Sequence, residues 1–245
     1  MKLSRSLPFW LLATVIFSLS SCGSNEKPAE ATTAGDSTAA TTPEAAPVST
    51  VITTPQSMMV VTHKVKDFDS WKASYEAHDS MRLANGIHSY VIGRGLWDPS
   101  MVLVAVKVDD MAKAKAFAKD PSLKKAMQKG GVVGNPTFHF VTTTFQDTAA
   151  IGTQIRSSSF FKVKDFDAWQ KSFEEGKQLR TDNGIVVRAY GHDADDNHKV
   201  RLVTALTDTA KAFAFWKSDE IKKRRAASGV IGEPERFVYN VVKRY

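Results

Sequence analysis

Cysteine occurs once in the 245 residues, at position 22. That excludes an intrachain disulfide framework and any metal site built on a cysteine cluster. Beyond the N-terminus no apolar run is long enough to span a bilayer, so a polytopic membrane protein is excluded. The nucleophile elbow G-x-S-x-G and the zinc-binding H-E-x-x-H are both missing. Gly93-Arg94-Gly95 opens no helix and does not make a dinucleotide fingerprint. The sequence therefore names no reaction. At 42% hydrophobic and 24% charged residues, it does contain enough apolar material for packed cores.

The N-terminus reads as an address. Lys2 and Arg5 form a positive n-region, and Leu7 to Leu19 form an apolar run of secretory-signal length. Leu19-Ser20-Ser21-Cys22-Gly23 follows. This resembles a bacterial lipobox, which implies acylation of Cys22 as the mature N-terminus. Two or three acyl chains hold a protein stably on a membrane. Ser24 in place of aspartate implies the outer membrane, by resemblance to Gram-negative sorting rules. Residues 1–22 are thus a lipoprotein signal peptide. Residues 23–57, rich in Ala, Thr and Pro, bury too little surface to order themselves and read as a disordered tether. Random-coil scaling gives that tether a reach of roughly 30 Å.

The formal net charge of +7 is unevenly spread. The tether sets Lys27 against Glu26, Glu30, Asp36 and Glu44, so the excess of positive charge belongs to residues 58–245. A basic body favours carboxylates, phosphates or an anionic lipid or glycan surface. The envelope address argues against nucleic acid as a partner. The expected partners are the bilayer, through Cys22, and a small anionic or apolar ligand; self-association stays open.

An internal repeat sets the architecture. Lys64-Val65-Lys66-Asp67-Phe68-Asp69-Ser70-Trp71 recurs as Lys162-Val163-Lys164-Asp165-Phe166-Asp167-Ala168-Trp169. The same offset pairs Arg82 with Arg180, Asn85-Gly86-Ile87 with Asn183-Gly184-Ile185, and Gly131-Val132-Val133-Gly134 with Gly229-Val230-Ile231-Gly232. Each copy, 58–146 and 155–245, is long enough for its own core. In the first, Met58–Val65 reads as a strand, and Asp67 caps a helix with Phe68, Trp71 and Tyr75 at helical spacing. Asn85-Gly86 ends that helix. Residues 87–93 and 101–108 read as strands, 110–130 as a helix broken near Pro121, and 137–145 as the last strand. The order βαββαβ is the ferredoxin-like split motif, so the fold class is α+β.

These motifs resemble small proteins of the dimeric α+β barrel superfamily, which includes antibiotic biosynthesis monooxygenases and stress-responsive barrel proteins. The resemblance implies two sheets pressed together by their open faces, here within one chain as a pseudo-dimer. It also implies two activities: a non-catalytic binding or structural role, or a cofactor-independent monooxygenase or haem-processing enzyme. Such relatives use Asn, Trp and His inside their clefts. Trp97, His63, His78 and His139 supply residue types of that kind, without matching a motif position by position. No catalytic residue, cofactor or metal is assigned.

The ligand-binding candidates are His63, His78, Arg82, His139 and Arg180. Phe68, Trp71, Tyr75, His78 and Arg82 fall on one helical stripe. Arg82 and Arg180 match across the copies, either to pair with a carboxylate or a strand end, or to hold an anion. All six histidines are unmatched, which argues against a symmetric metal or acid–base site. His63 and His139 both become phenylalanine in the second copy, Phe161 and Phe237. They belong to neighbouring strands. They are expected on one face, either as hydrogen-bonded core residues or as one wall of a polar pocket in the first copy. Lys222-Lys223-Arg224-Arg225 reads as a solvated helix face or an anionic-surface contact.

Overall fold

A computed structural model describes residues 49–245; Cys22, the signal segment and most of the tether lie outside the described residues. The first copy runs β1 (Val51–Ile52), β2 (Gln56–Val65), α1 (Phe68–Ala77), α2 (Asp79–Leu83), β3 (Ile87–Gly95), β4 (Met101–Val108), α3 (Met111–Ala118), α4 (Pro121–Lys129) and β5 (Val132–Asp147). The second runs β6 (Ile155–Val163), α5 (Phe166–Glu175), α6 (Lys177–Asp182), β7 (Ile185–Asp193), β8 (Lys199–Leu206), α7 (Thr209–Lys217), α8 (Asp219–Ala227) and β9 (Val230–Arg244). The end of the tether is used: Val51 and Ile52 pair with Asp147 and Gln146.

Local chemistry explains the element boundaries. Asp67, Asp110, Asp165 and Asp208 each accept a hydrogen bond from the backbone N–H three residues on, at 2.7–3.0 Å, and so satisfy a donor that the helix start leaves unpaired. Gly86 and Gly184 take the left-handed conformation that ends the first helical stretch of each copy. That stretch is not one helix. It breaks at His78 and at Gly176, giving α1–α2 and α5–α6.

The four long strands of each copy lie in the order last, first, third, second: β5-β2-β4-β3 and β9-β6-β8-β7. β3 pairs with β9, and β5 pairs with β7. The two sheets therefore do more than press their faces together. They are hydrogen-bonded at both edges into a closed barrel, which removes the free edges of the long strands. Helices cover the outside. Met59, Val61 and Val65 pack outward against Phe68, Trp71 and Phe117. Met58, Val60, Leu103 and Ala105 point inward and meet Tyr239 and Val241 of the other copy.

The two seams are equivalent by the repeat and demand glycine. Gly93 faces Val241 at one seam, and Gly191 faces Thr143 at the other. A Cβ on Gly93 would stand 2.1 Å from the Tyr239 ring. On Gly191 it would stand 2.0 Å from the Thr142 carbonyl oxygen and 2.7 Å from the Thr143 Cα. Backbone atoms in a ladder cannot move aside. Gly191→Ala is expected to destabilise by about 2 kcal/mol or more in urea unfolding. Gly152→Ala, with nothing within 4 Å of the added carbon, should stay within about 0.5 kcal/mol of the parent.

Candidate functional site

The first copy has a cleft between its sheet and its helices. Met59, Val61, Val104 and Val106 form its floor, and Trp71, Tyr75, Phe117, Met127 and Phe138 line its sides. The cavity is about 90 Å³ and almost wholly apolar. Three of the expected residues, His63, His78 and Arg82, come together there.

His63 is the unusual member. It sits at a bulge where β2 slips register against β5, a feature that re-aims a side chain. The residue is 4% exposed, and its ring lies 5.3 Å from Trp71 at 58°. Neither ring nitrogen has a hydrogen-bond partner. Burial holds its pKa down at about 4, so the imidazole is neutral. The second copy repeats the geometry with carbon: Phe161 lies 5.5 Å from Trp169 at 63°.

His78 occupies the break between α1 and α2, and its Nδ1 donates to the Ser74 carbonyl at 2.7 Å. Arg82 lays its guanidinium over the Tyr75 ring at 3.7 Å. It donates to the Tyr75 carbonyl at 2.6 Å and to Asp79 at 2.9 Å. Arg180 makes the same brace across the second break, stacked 3.7 Å over Phe173 and donating to its carbonyl. Bracing a broken helix explains why both copies carry this arginine. Arg180 has no Asp79 equivalent; Lys177 stands there. Burial, chiefly, brings its pKa down to about 10, and the Arg224 charge adds to the effect.

The expectation that His63 and His139 share a face is corrected. The register sets Val60 opposite His139 and Val61 opposite Phe138. Val61 and Phe138 belong to the helix-side core, as does the floor beneath His63. His139 points the other way, into the barrel, where it stacks on Phe160 at 3.9 Å. Desolvation, chiefly, lowers its pKa, and the Arg201 charge adds to the effect. Trp97 is 68% exposed and leans on Phe213, away from the cleft. The basic run on α8 is paired locally: Lys222 with Asp219, Arg224 with Glu220, and Arg225 with Glu233.

No family model and no curated protein matches the chain. Solved structures do. A candidate monooxygenase from Fusobacterium nucleatum aligns over 78% of this chain and 94% of its own, with TM-score 0.52 and 13% identity. An anthrone oxidase-like protein aligns over 80% and 95%, with TM-score 0.52 and 11% identity. A candidate chlorite dismutase aligns over 77% and 96%, with TM-score 0.52 and 13% identity. The chain has the dimeric α+β barrel fold. In this barrel both halves come from one polypeptide, so the two helix-side spaces are free to differ. In place of Ala126, Met127 and Phe138, the second copy carries Arg224, Arg225 and Arg236, and Arg236 lies over the Trp216 ring at 4.8 Å.

His63 makes stability depend on pH in a defined direction. The native imidazole takes no proton until about pH 4, whereas the unfolded chain takes one near 6.5. The contribution is complete above pH 6.5 and is lost as the pH falls toward 4, by about 3 kcal/mol at most. His63→Phe should flatten that acid limb, read as urea-unfolding free energy across the interval. It should also raise stability at neutral pH, because two unpaired buried nitrogens are removed.

Proposed function

We propose that this protein is a lipid-anchored envelope protein whose first copy binds a small, mostly apolar molecule carrying one hydrogen-bonding group. One observation carries the binding: His63 is buried in an apolar cleft with both nitrogens unpaired. Leaving such a group unsatisfied is costly, and a ligand hydroxyl removes the cost. The space limits the ligand. An apolar cavity of roughly 150 Å³ admits benzene, so a single ring enters this one of about 90 Å³ only if neighbours give way. The half-buried Met81, Leu123 and Met127 line it, and methionine adapts readily. Phenol is the matching probe. It should raise the melting temperature of the parent protein and of His139→Phe, and leave that of His63→Phe unchanged. Equal response in the parent and His63→Phe ends this reading.

The anchor rests on the lipobox-like segment at Cys22. In a Gram-negative host, Cys22→Ser is expected to move the protein from the membrane fraction to the soluble one. Fractionation with the membranes regardless of Cys22 excludes lipid attachment there.

Cofactor-independent oxygenation is the second reading. The neutral imidazole of His63 can accept a proton inside a water-poor cleft, and the fold is that of the Fusobacterium candidate monooxygenase. Dioxygen uptake in the presence of phenol, lost in His63→Phe, selects it over binding alone. The cleft around His63 is not a haem pocket as it stands: a tetrapyrrole cannot enter a cavity of this volume beside Trp71 and Phe117 unless the helices leave the sheet.

A further inference from the structure

The barrel interior holds a second and larger cavity, of about 510 Å³, within the range of small-molecule sites. Its chemistry is unlike that of the helix-side cleft. Arg156 on β6, Arg188 on β7, Arg201 on β8 and Arg244 on β9 all line it. Arg156 is 3% exposed and Arg201 is 5% exposed. An arginine cannot shed its proton to escape burial, so each is stabilised by negative charge beside it.

The protein supplies almost none. Arg201 donates through Nε to the Ser158 hydroxyl at 3.3 Å. Arg156 donates to the carbonyls of Thr153 and Ile155 at 2.8 and 3.0 Å. Among the described residues neither makes an ion pair. The charged groups acting on Arg156 are Arg244 and Arg188, both of its own sign. Arg201 feels the phenols of Tyr239 and Tyr90 and no carboxylate. Asp147 is the one acid in the lining, and it is engaged by Arg188 at 3.2 Å. Asp193 and Glu235 stand beyond Arg201, beside His139.

Arg156, Arg201 and Arg244 converge around the buried Tyr239 ring. From the first copy Met58, Val91 and Ala105 give an apolar stretch of wall, beside Tyr90 and Gln146, which hydrogen-bond each other. The repeat makes the asymmetry plain. Met58 and Leu103 occupy in the first copy the places that Arg156 and Arg201 occupy in the second.

We propose that the barrel lumen is an anion site, distinct from the helix-side cleft, that takes a small molecule with a phosphate or dicarboxylate head and an apolar body. The head sits between Arg156 and Arg201, where guanidinium forks match paired oxyanion oxygens. The body lies against Met58, Val91 and Ala105. More than one negative charge is required, because three guanidinium groups remain after Asp147 is counted against Arg188.

Calorimetric titration with inorganic phosphate and with phenyl phosphate tests the site. Both should bind the parent protein, phenyl phosphate more tightly. The variant Arg156→Met/Arg201→Leu installs the residues the first copy already uses at these positions. It should weaken phosphate about tenfold or more while unfolding at the same or higher urea concentration, since unpaired buried charges are removed. Arg201→Lys keeps the charge and loses the fork; it covers the case in which the double variant fails to fold, and it too should weaken binding. Lys222→Ala/Arg224→Ala, on the outer surface, should bind like the parent, and so should His63→Phe. The last comparison keeps this site separate from the phenol-binding cleft. Failure of the parent to bind either anion overturns the proposal. So does undiminished binding by the arginine variants, or loss of binding in the surface control. Equal affinity for the two anions overturns the apolar part of the ligand.

Discussion

Barrel closure is the constraint on which the other features depend. Each βαββαβ copy makes a sheet with apolar side chains on both faces, and helices cover only one. A sheet of that kind cannot stand alone in water. Closing two copies edge to edge hides the second face and pairs the outer strands in one step. The close approach of backbone to backbone at Gly191, and of backbone to the Tyr239 ring at Gly93, is what brings the edges within hydrogen-bonding distance. The bulges at Tyr90 and Arg188 fall beside these glycines and add local twist at each seam. Closure then creates two kinds of interior: helix-side layers outside the barrel wall and one shared lumen inside it.

The architecture was legible because duplication writes it twice. Aspartate caps, the Asn-Gly helix end and the Gly-Val-x-Gly turn into the last strand recur at a fixed offset, and their agreement outweighs any single propensity. Three features were not legible. The faces of His63 and His139 depend on the register of β2 against β5, and a bulge falls at His63 itself. Knowing that two strands are neighbours does not fix parity, and a slip of one residue turns a side chain to the other face. The break at His78 has no proline or glycine in the first copy; only Gly176 at the matching position hints at it. The arginine brace across that break is a tertiary consequence of it.

The lumen arginines were missed for a different reason. The unmatched histidines His63 and His139 mark positions where the first copy is polar and the second aromatic. The opposite comparison, apolar in the first and cationic in the second, holds the stronger signal. Met58 against Arg156 and Leu103 against Arg201 share their alternation with Ser158 and Phe160 on one strand and Val203 and Ala205 on the other; the lysines on it, Lys162 and Lys199, are exposed at the strand ends. A charge at an inward position of a strand is rare unless something meets it.

A symmetric homodimer could not build this lumen. Each inward residue would appear twice, related by the twofold axis. Arg201 would then take the place Leu103 holds and Arg156 the place of Met58, so the unpaired charge would double around any ligand body. Joining the copies in one chain lifts that restriction. It lets one half keep Met58, Leu103 and the apolar cleft around His63, while the other fills its helix-side space with Arg236 and turns Arg156 and Arg201 inward. The covalent link therefore does more than raise the effective concentration of two halves. It makes the two walls of a single cavity chemically different, which is the condition for recognising a molecule with a charged end and an apolar end.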